Sequence, residues 1–72
     1  SMSKEMEFTV FCIESYKRHK SLTGKQVSEL FQKYKVLDYL FEFYDVLHTT
    51  GYQYINQDID IYLKARNADI PA

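Results

Sequence analysis

The sequence predicts an all-α protein, a compact bundle of four short helices with the third helix central. Three observations predict it. Apolar residues recur at helical spacing, most cleanly Val27, Leu30, Phe31 and Tyr34 at i, i+3, i+4 and i+7. A helix start is legible at Thr23, which has Gln26 three residues on for a capping box and Leu22 and Val27 placed to staple across the cap. The stretch YQYI alternates briefly with period two, but four residues without a partner strand are too few to found a sheet.

The first helix is expected over Lys4 to Lys20. Met6, Val10, Cys12, Ile13 and Tyr16 cluster on one side, with Phe8 and Phe11 widening the apolar edge. Glu7, Glu14 and Arg18 line another side, and Glu14 and Arg18 stand at the favourable i,i+4 spacing. The second helix starts at the Thr23 cap and ends near Tyr34 or Lys35, with Lys25, Ser28, Glu29, Gln32 and Lys33 outside.

The third helix is read from the stretch VLDYLFEFYDVLHTTG, residues 36–51. Asp38, Glu42, Asp45 and Thr49 fall on one narrow face, and apolar or aromatic residues fill an arc of roughly 220°, where a surface helix needs about 100°. Either the other helices wrap this one, or its flank of Tyr39, Phe43 and Val46 is covered by another molecule. Gly51 is placed to take the left-handed conformation that ends a helix. YQYI then serves as an extended linker or a short strand. A last helix follows from about Asn56, with Asp58 in its first turn, where the dipole favours negative charge. Ile55, Ile59, Tyr62 and Leu63 face inward, Asp60 and Lys64 pair outside, and the chain frays after Asn67 toward Pro71.

Residues 1–72 fit one domain with an ordered core over about 5–66, and a chain this short buries only about 60% of its unfolded surface. With 46% hydrophobic and 17% aromatic residues the composition excludes disorder. The single cysteine, Cys12, cannot form an internal disulfide, which points to a reducing cytoplasm. No run approaches the roughly 18 apolar residues of a membrane span, and the N-terminus lacks the core of a signal peptide. Ser1 ahead of Met2 reads as a tag remnant. A soluble cytoplasmic protein, bacterial or otherwise cytosolic, is the expectation.

The net charge of −1 hides two opposed ends. Lys17 to Lys35 holds six basic residues against Glu29 alone, whereas Val36 to Leu63 holds five acids and no Lys or Arg. Such a field orients an encounter without naming the partner.

The residues that could carry chemistry are few. Cys12 and His19 share a helix face but lie about 10 Å apart along it, beyond the ~3 Å that proton transfer needs. Asp45 and His48 at i,i+3 are two ligands, too few to hold an ion. Asp38, Glu42 and Asp45 have no companion base or glycine-rich loop. No catalytic residue, cofactor, metal or small-molecule substrate is therefore expected, and the protein is read as a non-enzyme. The alternative is a DNA-associated, helix-turn-helix-like regulator; against it, the helix after the basic segment carries only Asp38, Glu42 and Asp45 as charges, which phosphates repel. Of the seven tyrosines, Tyr16, Tyr34, Tyr44 and Tyr62 fall on core stripes, while Tyr39, Tyr52 and Tyr54 do not. Tyr39, Phe43, Val46, Tyr52 and Tyr54 are thus the candidate interface.

The segments FTVFCIESY, LTGKQVSELFQKYKVLDYLFEFYDVLHTTG and YINQDIDIYL together resemble a family of very short bacterial proteins formed by a domain of unknown function. The likeness spans residues 8 to about 66 and is strongest from Leu22 to Gly51. It implies no activity, catalytic residue or cofactor. Members are sometimes encoded beside proteins resembling ADP-ribosyltransferase toxins, which implies a small partner or neutralising protein. The expected function is a non-enzymatic interaction module that binds a protein partner or itself as a homodimer.

Overall fold

A computed structural model describes residues 1–71, and among these it contains five helices and no strand: α1 (Lys4–Lys20), α2 (Gly24–Lys33), α3 (Val36–Glu42), α4 (Tyr44–Leu47) and α5 (Tyr52–Ala65). No helix among them is long and apolar enough to cross a membrane.

The caps explain the boundaries. Ser3 starts α1 by accepting the Met6 N–H, and Thr23 starts α2 with the full reciprocal capping box to Gln26. The stops use left-handed residues that are not glycine: Ser21, Lys35 and Asn67, at φ 54°, 58° and 54°. Around Ser21 the Leu22 N–H reaches the Lys17 carbonyl, and around Asn67 the Ala68 N–H reaches the Leu63 carbonyl, the Schellman pattern that occupies otherwise orphaned helix-end carbonyls. At Lys35 a side chain suffers left-handed crowding with no cap hydrogen bond from its own side chain. Lys35→Gly should therefore raise stability by about 0.5–1 kcal/mol after the glycine's larger unfolded-state entropy is set against the relief. A urea midpoint that falls would contradict this geometry.

Helix α1 packs on α2, α3 and α5 and is the true centre, in place of the third helix expected there. It can be central because its buried face tolerates polar atoms that find partners. Thr9 and Ser15 are buried beside Cys12 and Tyr16; the Thr9 hydroxyl donates to the Met6 carbonyl and the Ser15 hydroxyl to Asn56 Oδ1. Met6 and Val10, expected inside, are about half exposed, so the buried face is rotated from the one hydropathy alone selects. Glu14 pairs with Lys17 at 3.4 Å, not with Arg18.

The expected continuous third helix breaks at Phe43, at φ −100° and ψ 22°. The Phe43 N–H still bonds the Tyr39 carbonyl, while the Phe43 carbonyl takes the N–H groups of both Val46 and Leu47. The bend carries α4 back over α1, where Tyr44 packs edge-on against Phe8 at 5.4 Å and Leu47 enters the core. Gly51 is extended, at φ −72° and ψ 157°, and caps the start of α5; it does not close the helix before it. YQYI is helical, because Ile55 joins Ile59 and Leu63 in the core only if helical phase extends back to it. Asn56 is consequently an interior residue rather than a cap. The tail beyond Asn67 folds back, with Ala68 and Ile70 against the core, where fraying was expected.

Candidate functional site

Two constellations stand out: a partly buried polar cluster between α1 and α5, and exposed apolar residues on α3–α4 and α5.

The polar cluster centres on Asp60. Its carboxylate accepts from the Tyr16 hydroxyl at 2.7 Å, the His19 Nε2 at 3.1 Å and the Lys20 ammonium at 3.1 Å. Lys64, the expected partner, is therefore replaced by three donors from the last turns of α1. Burial alone would raise the Asp60 pKa, but the hydrogen bonds from Tyr16, His19 and Lys20 outweigh it and hold the carboxyl below the ordinary aspartate range. Burial first, then the bond to Asp60, pushes the Tyr16 phenol far up, so it stays a neutral donor. With its donors already in place the cluster ties α1 to α5. Neither of two shallow cavities, of about 170 and 230 Å³, is lined by any of its members.

The other titratable candidates stay apart. Cys12 is fully buried and its thiol is pushed up to about 12 by that burial. The His48 ring stacks on Tyr44 at 4.2 Å, and its Nδ1 donates to the Tyr44 carbonyl. Among the described residues no three His, Cys, Asp or Glu side chains are gathered as a metal site would require.

The seam is built on an antiparallel register. The Tyr62 hydroxyl donates to the Tyr34 and Lys35 carbonyls at the start of α3, and the Tyr39 hydroxyl donates to Asp58 at 2.6 Å. Along this line Phe43 packs on Tyr39 at 5.2 Å, Tyr39 on Tyr62 at 4.6 Å, and the Arg66 guanidinium lies 3.4 Å over the Tyr62 ring. The floor is thus rigid and its hydroxyls are occupied; burial, with the bond to Asp58 second, pushes the Tyr39 phenol up to about 12.

On the same elements Phe43, Val46, Tyr54 and Ile61 are exposed, by 44, 66, 60 and 67%. Phe43 and Val46 share a flank of the α3–α4 segment at i,i+3, and Tyr54 and Ile61 share one of α5 at i,i+7. The five residues expected at an interface are therefore divided. Phe43, Val46 and Tyr54 are exposed; Tyr39 is half-buried against Tyr62; Tyr52, though exposed, packs on Phe11 at 4.5 Å. Ile61 was missed. Its signal was an isoleucine about 160° from Leu63 and Ile59, on the side of the helix that holds Tyr54 and the polar Gln57 and Lys64.

Along α3–α4 Asp38, Glu42 and Asp45 are all exposed, and among the described residues none of them has an ion-pair partner within 4 Å. The remaining two acids of the Val36–Leu63 segment, Asp58 and Asp60, are held internally by Tyr39 and by the α1 cluster.

Neither a curated protein nor a solved structure matches this chain. A family model does match it, over residues 7–66, nearly the span of the fold from the first turn of α1 to the end of α5; the chain belongs to that family, described as protein of unknown function (DUF3791).

Proposed function

We propose that the protein is a non-enzymatic interaction module that docks on a protein partner through the α3–α5 seam. The observation that carries this reading is the set of Phe43, Val46, Tyr54 and Ile61, four large apolar side chains left in solvent above a floor whose own polar groups are already paired. Each such side chain contributes about 1.5–3 kcal/mol when a partner covers it, so the set suffices for a specific contact. A rigid floor adds to that by lowering the ordering cost of binding. The family resemblance adds a bacterial setting and a partner encoded nearby, such as an ADP-ribosyltransferase-like toxin that the module neutralises.

The double variant Val46→Asp/Ile61→Asp tests the reading, because both side chains point into solvent and their replacement leaves the fold within about 1 kcal/mol. Tagged wild type recovered from its native cell should carry a stoichiometric partner, and the double variant should retain less than about a tenth of it. Equal recovery on both, with equal melting curves, would refute the seam as the docking surface. If the wild type is a dimer by light scattering and the variant a monomer, the partner is a second copy.

A further inference from the structure

We infer that residues 67–71 form a detachable strap, which closes beside Leu30 and Tyr34 of α2 and opens while the helices stay folded. The strap is held at its root and by one apolar anchor. At Asn67 the chain turns in the left-handed region, at φ 54°, and the Ala68 N–H bonds the Leu63 carbonyl at 3.0 Å. The turn sends the chain from the end of α5 back to α2. Beyond it, Asp69, Ile70 and Pro71 make no hydrogen bond or ion pair among the described residues. Asp69 and Pro71 share a cavity of about 170 Å³ with Leu30, Lys33 and Tyr34, so the strap is not close-packed on α2. What holds it is the packing of Ala68 and Ile70, both only partly buried, against the core.

The balance of these terms makes the strap a unit of its own. Ordering residues 67–71 costs backbone entropy at each of them, and only two side chains, one of them an alanine, return apolar burial against that cost. In the helices the return is larger, since Val27, Phe31, Ile59 and Leu63 are fully buried. A segment with few apolar contacts and a single hydrogen bond at its root opens locally, well before the fold as a whole. Nothing else has to move with it. The Thr23 capping box, the Tyr62 bonds to the Tyr34 and Lys35 carbonyls and the Asp60 cluster all use residues before Asn67. The span that the family model matches, residues 7–66, also stops where the strap begins. When the strap lifts, Leu30 and Tyr34 lose the wall that Asp69 and Pro71 supply. It thus gates access to that edge of the core.

Amide hydrogen exchange on the whole chain tests this. In the wild type the Ala68 amide should be protected relative to an unstructured peptide, yet exchange at least about a hundredfold faster than the amides of Val27 and Ile59. In Ile70→Asp it should exchange at least about tenfold faster again and the Leu30 and Tyr34 amide signals should shift, while labelling of the buried Cys12 by a thiol reagent stays within about threefold. Ile70→Val, which keeps a branched apolar anchor, should leave Ala68 within about threefold of the wild type. Exchange of Ala68 in step with Ile59 in the wild type overturns the inference, because the tail then opens only with the whole fold. An Ala68 amide without protection overturns it too, because there is then no closed strap. In Ile70→Asp, an unchanged Ala68 rate, unmoved Leu30 and Tyr34 signals, or Cys12 labelling that rises as much as Ala68 exchange each does the same.

Discussion

Phe31→Ala should lower stability by about 3–5 kcal/mol. Phe31 is fully buried and its ring lies 5.4 Å from that of Tyr16, which is fully buried too. Truncation leaves a cavity between α1 and α2, and the surrounding side chains cannot refill it without leaving their own contacts. A domain of 72 residues holds a net stability of only about 4–11 kcal/mol, so one ring accounts for a large part of it. In thermal melts the loss should appear as a drop on the order of 15–30 °C. Cys12 supplies an independent readout. It is fully buried, with its thiol pushed up to about 12, so a thiol reagent reaches it only when the core opens. Its labelling rate in the variant should rise with the unfolded fraction, by about a hundredfold for a loss of 3 kcal/mol. Val46→Ala, on the exposed seam, should change neither quantity beyond about 0.5 kcal/mol. If the two variants melted alike, the division between core and seam would be wrong.

That division was only partly visible in the sequence. Helices α1 and α2 were legible because their signals are local: the Thr23 box names a start, and Val27, Leu30 and Phe31 form a stripe that any packing must bury. The inner face of α1 was not, because Thr9 and Ser15 enter the core through hydrogen bonds, one of them to Asn56 across 41 positions of sequence. A hydropathy wheel counts a hydroxyl as outward and cannot see its distant partner. The same blindness misplaced Asp60, assigned to Lys64 one turn away on its own helix but bound to α1. The break at Phe43 has no glycine or proline to announce it; it follows from Tyr44 packing on Phe8, again a contact across the fold. At the seam, Phe43, Val46 and Tyr54 were identifiable as apolar surplus. What brings α3 against α5 beside them, the Tyr39–Asp58 and Tyr62–Lys35 bonds, only the fold supplies.

Removing the Asp60 carboxylate should be the next most damaging change. Asp60→Ala leaves the fully buried Tyr16 hydroxyl without an acceptor, at a cost of about 1–3 kcal/mol, and releases His19 and Lys20 from the last turn of α1. The pH dependence identifies the cause. In the folded chain the Asp60 pKa is held below its unfolded value of about 3.9. Acidification therefore protonates the unfolded state first, so the carboxylate's contribution is fully present above about pH 4–5 and is lost as the pH falls through the lowered folded value. Urea titrations of the wild type from pH 7 down to about pH 3 should show this loss on top of that from the other carboxylates. Asp60→Asn separates charge from hydrogen bonding: its amide oxygen can still accept from Tyr16, so at pH 7 it should fall between the wild type and the alanine variant. As acid neutralises Asp60 in the wild type, the gap between wild type and Asp60→Asn should narrow. A gap of constant size across this range would mean that the carboxylate acts through packing alone. In that case the donors at the end of α1 would not be what fixes α5, and the register that assembles the seam would need another cause.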